Sequence, residues 1–170
     1  MSMNDMLYTH FESPIGPLLL CGDEDRLTGL YTAPACRRPE LVQGARHAEA
    51  PFVRVREQLE QYFAGERLAF DVPLSLDRGS AFFQSVWRSL LEIPYGATAS
   101  YGELARRLGR PSAARAVGLA NGRNPISIIV PCHRVIGAGG DLTGYAGGLE
   151  RKRFLLDHEM DVMRPKMAIA

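Results

Sequence analysis

The segment Asn124-Pro-Ile-Ser-Ile-Ile-Val-Pro-Cys132-His133-Arg134 sets a cysteine, a histidine and an arginine side by side behind an apolar run. A thiolate is a strong nucleophile, but a free cysteine has a pKa of about 8.5 and is mostly protonated at neutral pH. A base within hydrogen-bond reach, or cationic neighbours, would raise the reactive fraction, and His133 and Arg134 are the candidates. The imidazole then needs an acid to orient it, and His158-Glu159, expected at the end of the last helix, could return a carboxylate to that place. The same pattern fits an inert core thiol, since a cysteine behind apolar residues packs like a small hydrophobe. Metal binding is the weaker alternative. Adjacent Cys132 and His133 do not readily ligate one ion, and no cysteine pair has zinc-ligand spacing. Cys21, Cys36, His10 and His47 form no convincing ligand set, so no metal is expected.

The elements that would position this thiol follow from periodicity. Three strands, at Leu7–Glu12, Pro17–Gly22 and Arg26–Ala33, are separated by the polar turns Ser13–Gly16 and Asp23–Asp25 and suggest an antiparallel meander. Ala35–Ala50 reads as an irregular loop, and Phe52, Val55, Leu59, Tyr62 and Phe63 recur at helical spacing until Gly65. A boundary is expected near Pro73–Gly79, giving an N-terminal α/β domain over 1–79 and a second domain over 80–170. In the latter, Phe83, Val86, Trp87, Leu90 and Leu91 mark an amphipathic helix stopped by Pro94-Tyr95-Gly96. Ser100-Tyr-Gly-Glu103 has the form of a capping box, and Gly109-Arg-Pro-Ser112 joins that helix to one over Ala113–Asn121, with Ser112 as expected N-cap. Two short helices across a Gly/Pro turn predict a helix-turn-helix. Ile126–Val130 reads as a strand, Gly137–Gly140 as a turn, and Leu149–Glu159 as a closing helix with Leu155 inward. The fold class is α+β: a small antiparallel sheet with a helix, then a mostly helical, winged helix-turn-helix domain.

The composition restricts the partners. The 170-residue chain is 46% hydrophobic and 23% charged, as in a globular domain, and has no apolar run long enough for a bilayer helix. No secretory leader is expected, and three cysteines that cannot all pair suit a reducing, cytoplasmic compartment. The formal charge of +1 hides an asymmetry: Met1–Ser85 holds 8 Lys+Arg against 12 Asp+Glu, and the rest 12 against 7. Leu104–Gly140 carries six arginines (106, 107, 110, 115, 123 and 134) and no acid, as a polyanion-binding face requires, although a solvated basic face looks the same.

Pro131-Cys132-His133-Arg134-Val135 resembles the active-site signature of the O6-alkylguanine-DNA alkyltransferases, and the resemblance extends over roughly Phe82–Glu159. Ile93-Pro-Tyr-Gly96, Ser100–Ala105, Ala114–Gly118, Asn124-Pro125, Thr143-Gly-Tyr145 and Lys152…His158-Glu159 stand in the family's order. Ser13–Leu18 also looks like the start of the family's first domain. The resemblance implies irreversible, single-turnover transfer of an alkyl group from guanine O6, or thymine O4, in double-stranded DNA to Cys132, with no cofactor. His133, acting through water and oriented by Glu159, would take the thiol proton, and Asn124 would support the turn. Tyr101 and Tyr145 would hydrogen-bond the flipped lesion or its flanking phosphate. Arg115 would enter the base stack from the minor groove, with Ala114 and Ala116 allowing close approach of the helix; Arg134 and Lys152 are also expected near DNA or the lesion. Asn121 stands where some relatives are apolar, which could alter how the lesion base is sandwiched. A monomer is expected, with cooperation on DNA left open. The alternatives are a non-catalytic factor that binds alkylated bases, which lacks the cysteine, a thiol hydrolase, and a winged-helix transcription factor.

Overall fold

The computed structural model describes residues 5–169, and the chain divides into two compact units, Met1–Ser75 and Leu76–Ala170. In the first unit, β1 (Leu7–Ser13), β2 (Gly16–Gly22) and β3 (Leu27–Tyr31) form an antiparallel meander. The β1–β2 turn is closed by Ser13, whose Oγ donates to Gly16 O (2.7 Å) and accepts from Ile15 N (3.2 Å), while Gly16 takes the left-handed φ of 99°. The β2–β3 turn is closed by Asp23 Oδ1, which accepts from the amides of Asp25 and Arg26 at 2.8 and 2.7 Å. A short β4 (Arg46–His47) adds in parallel to β1, giving the order β3-β2-β1-β4.

β1 alternates, with Leu7, Thr9 and Phe11 buried and His10 and Glu12 exposed. β2 does not alternate: Leu18 to Gly22 are all buried. A strand apolar on both sides needs two covers. Helix α1 (Val53–Phe63) buries Val55, Leu59 and Tyr62 and packs against β1. The segment expected as a plain loop supplies a second cover, because its two 3-10 turns bring Cys36, Leu41 and Val42 against Leu19 and Cys21.

In the second unit, α2 (Ala81–Leu90) is capped by Ser80, whose Oγ accepts from Phe83 N at 3.2 Å, and buries Val86, Trp87 and Leu90. Leu91, assigned by spacing to the inward face, lies past the helix end and is 45% exposed. Strand β5 (Ala99–Ser100) leads into α3 (Tyr101–Arg107) through the expected capping box, with Glu103 N on Ser100 Oγ at 3.1 Å and Ser100 N on Glu103 Oε2 at 2.6 Å. After a turn at Gly109 (φ 70°), α4 (Ala114–Gly122) completes the helix-turn-helix. Its N-cap is Ala113, without a side-chain bond, and not Ser112. Trp87 Nε1 donates to Ala120 O at 2.8 Å and ties α2 to α4.

The strand expected at Ile126–Val130 is absent. Those residues form a compact turn, with Ile128 at a φ of 72°, which a β-branched residue rarely adopts. Asn124 explains it: its Oδ1 accepts from Ile126 N (3.0 Å), and its Nδ2 donates to Val130 O (2.8 Å) and Ile126 O (3.3 Å). The side chain thus takes backbone groups that a sheet ladder would need. A 3-10 turn at Cys132–Arg134 follows, then β6 (Val135–Ile136), which pairs in parallel with β5. The closing helix α5 (Leu149–Ile169) runs well past Glu159, which therefore lies inside it rather than at its end.

Candidate active site

Cys132 opens the 3-10 turn and is 4% exposed. One turn residue later, His133 is fully buried and its Nε2 lies 2.7 Å from Glu159 Oε1. Glu159 is held by more than this contact. Arg134 grips it with Nε on Oε2 and Nη2 on Oε1, both at 2.9 Å, and Gly96 N donates to Oε2 at 3.2 Å. Arg134 Nη1 also donates to Ile93 O at 2.7 Å, and its guanidinium stacks over Tyr95. Burial alone would raise the Glu159 pKa, but the His133 and Arg134 contacts outweigh it and hold the carboxyl down at about 2.

That ionised carboxylate fixes the histidine's tautomer. A carboxylate only accepts, so the hydrogen of the neutral ring must sit on Nε2, leaving Nδ1 with a lone pair. Burial also pushes the His133 pKa down, against the pull of Glu159, so the ring is a neutral base. Nδ1 is buried and has no hydrogen-bond partner.

The thiol is not a resting thiolate. Burial pushes the Cys132 pKa up, opposed by a hydrogen bond from the Asn124 side chain, by the charge of Lys152 and by the main-chain N–H groups of Cys132 and His133. The cationic surroundings therefore only moderate the burial penalty, and a base is needed to take the proton. Asn124 shapes the 126–130 turn and, beside the sulfur, also counters the burial that pushes the thiol pKa up. The set can deliver a desolvated sulfur nucleophile beside a neutral imidazole.

Two family models cover most of the chain: the 6-O-methylguanine DNA methyltransferase DNA-binding domain matches residues 81–161, and the ribonuclease-like domain of the same enzymes matches 6–76. A methylated-DNA–protein-cysteine methyltransferase of Methanosarcina acetivorans is 54% identical over 154 residues, spanning 91% of this chain and 98% of that protein. One from Mycobacterium tuberculosis is 55% identical over 152 residues, spanning 89% and 91%. The crystal structure of Mycobacterium tuberculosis OGT in complex with DNA is 53% identical, with a TM-score of 0.85, and the match covers 92% of this chain and 94% of that one. The chain belongs to the methylated-DNA–protein-cysteine methyltransferase family.

Within this methyltransferase fold the predicted residues separate into three groups. Cys132, His133, Glu159 and Asn124 converge as described. Arg115 and Ala116 are exposed on α4 and Ala114 is half-buried, as are five of the six arginines expected on a basic face exposed: 106, 107, 110, 115 and 123. Tyr101 packs over Gly118 of α4, and its hydroxyl donates to Thr143 O at 3.0 Å. Tyr145 is 9% exposed with an unpartnered hydroxyl, and burial, with Cys132 nearby, pushes its pKa well up.

Two residues assigned to DNA or the lesion are turned inward. Arg134 is 8% exposed and spends its donors on Glu159 and Ile93, so it braces the carboxylate instead of meeting DNA. Lys152 is fully buried, with Nζ donating to Val135 O and to Thr143 O (2.8 Å), and burial lowers its pKa. Three site residues had no role in the sequence reading: Ile93, Tyr95 and Gly96 wrap the Arg134–Glu159 pair. Their motif, Ile93-Pro-Tyr-Gly96, was visible as a block, and a Pro-Tyr-Gly turn beside a helix end gave no hint of a carboxylate partner.

Proposed function

We propose that this protein repairs double-stranded DNA by irreversible transfer of an alkyl group from guanine O6, and from thymine O4, to Cys132, each molecule acting once. The observation that carries this reading is the buried chain of Cys132, a neutral His133 and an ionised Glu159, on a unit whose helix-turn-helix exposes five arginines. The lesion is extruded from the minor-groove side, Arg115 fills the gap, and the small side chains of Ala114 and Ala116 let α4 approach closely. His133 Nδ1 takes the thiol proton, through water. Sγ then bonds the alkyl carbon as the carbon–O6 bond breaks, the electron pair stays on O6, and guanine gains the proton that the thiol lost. Tyr101 and Tyr145 hydrogen-bond the base or its phosphate, and Lys152 and Arg134 keep the pocket walls and the carboxylate in place. No step calls for a cofactor. We place the protein in a reducing cytoplasmic setting, as a monomer, because its three cysteines cannot all pair.

Incubation with duplex carrying O6-methylguanine should add about 14 Da to the intact protein, one methyl for one hydrogen, localised to Cys132. Cys132→Ala should gain nothing. Lesion loss with Cys132 still a free thiol would overturn the proposal.

A further inference from the structure

Native interiors rarely leave buried polar atoms unpartnered, and an orphan of this kind points to a ligand or to catalysis. Three orphans belong to residues grouped around one sulfur: His133 Nδ1, the Tyr145 hydroxyl and Asn121 Oδ1. The first two are accounted for by proton transfer and by hydrogen bonding to the base. Asn121 is not. It sits on the last turns of α4, 1% exposed, and its Nδ2 donates to the main-chain oxygen of Cys132 at 3.3 Å. Oδ1 shares the carboxamide carbon with that Nδ2, so the orphan acceptor is held beside the nucleophile's backbone. An acceptor there suits a donor on the incoming base.

We infer that Asn121 is a specificity-determining residue whose Oδ1 accepts a hydrogen bond from the exocyclic amine of an extruded O6-alkylguanine. The inference rests on the alkyl-transfer reading and adds the feature by which the pocket tells its bases apart. O6-alkylguanine offers the N2 amine as a donor beside ring-nitrogen acceptors. O4-alkylthymine offers only acceptors on the corresponding edge, and its O2 would face Oδ1 lone pair to lone pair. A buried site built around a hydrogen bond disfavours an analogue that cannot make it. Asn121 therefore biases the protein toward guanine lesions without touching the alkyl group.

Duplexes carrying O6-methylguanine and O6-methylhypoxanthine, which differ only in the N2 amine, isolate this contact. Single-turnover rates of Cys132 methylation are measured on both for the wild type and for Asn121→Leu, with Asn121→Ala as a smaller replacement if the leucine variant does not fold by circular dichroism. The wild type should prefer guanine, and the preference should fall by roughly tenfold in the variant, the size of one neutral hydrogen bond. A merely structural asparagine would slow both substrates alike and leave their ratio standing, which would overturn the inference. So would a wild type that does not discriminate. If neither duplex methylates wild-type Cys132, the alkyl-transfer reading itself has failed, a different outcome from an unmoved ratio.

Discussion

The two units handle polar groups in opposite ways. In the first, the buried polar residues among those described are Thr9, Thr28, Thr32 and Gln58, none of them charged. Gln58 uses both ends of its amide on the backbone of Asp71, at 3.1 and 2.8 Å, and the ion pair Arg54–Asp71 lies in solvent, its side chains 56% and 83% exposed. The second unit buries His133, Arg134, Lys152, Glu159 and Asn121. Both contain an arginine–carboxylate pair, yet Arg54–Asp71 is surrounded by water and Arg134–Glu159 is not. Desolvating two charges costs more than their attraction returns unless further bonds complete them, so a buried pair is weak evidence of a unit built for stability. The first unit is organised as scaffold, and the second carries a polar centre because its chemistry requires one.

The largest effect should come from breaking the buried pair. Glu159→Gln keeps the shape but leaves the Arg134 guanidinium uncompensated, which should cost about 3–5 kcal/mol of stability. It should also slow Cys132 alkylation and shift its pH profile upward, because His133 loses the group that fixes its tautomer. Acid tests the same pair. With a folded pKa of about 2 against an ordinary 4.5, Glu159 contributes stability that is full above pH 4.5 and lost as pH falls toward 2, of order 3 kcal/mol. His133 acts in the same sense: its pKa is lowered by burial, so protons favour the unfolded chain once the pH drops below its ordinary 6.5. Trp87, the single tryptophan and 3% exposed, reports the second unit by fluorescence. Wild-type stability should fall steeply between pH 4.5 and 2, and Glu159→Gln should lose that part of the pH dependence. Coincident acid curves for the two proteins would break the contrast.

What could be read from the residues follows the same division. Elements set by local rules were visible: the Ser13 and Asp23 turns, the alternation of β1, the capping box at Ser100 and Glu103, and the helix-turn-helix. The structure brings His133 and Glu159 together beside Cys132 as expected, because adjacent Cys132 and His133 are a local pattern and the family resemblance supplied the distant carboxylate. Apart from the His133–Glu159 contact, which the family resemblance implied, non-local bonds were not legible. Nothing in Ile126–Val130 says that Asn124 would capture its backbone, so an apolar, β-branched run read as a strand. Arg134 read as a cation beside the thiol and as one more arginine of a basic stretch, since only the fold brings Glu159 and Ile93 O to its guanidinium. Lys152 likewise read as a charge near DNA, because its acceptors are backbone carbonyls without a sequence signature.

Arg115 sharpens the contrast from the surface. Its exposed guanidinium should matter little to stability, so Arg115→Ala should melt within about 0.5 kcal/mol of the wild type. On duplex DNA it should slow repair about tenfold or more, since base extrusion costs a few kcal/mol and loses its plug. Reaction with free O6-benzylguanine, which has no stack to fill, should barely change. Equal losses on both substrates would remove the finger role and leave Arg115 a general contributor to the site.

The smallest effect is expected where the first unit most resembles the second on paper. Arg54→Ala deletes an arginine–carboxylate pair just as Glu159→Gln does, but Arg54 and Asp71 are solvated before and after the change. Exposed pairs gain little Coulomb energy in water and cost side-chain entropy, so the loss should stay below about 1 kcal/mol and shrink further in salt. Asp71 retains its backbone bonds to Gln58, and no buried group is left bare. Urea unfolding of Arg54→Ala and Glu159→Gln at low and high ionic strength puts the two pairs on one scale. Comparable penalties would mean that burial does not separate them, and that the second unit's charges are as dispensable as those in solvent.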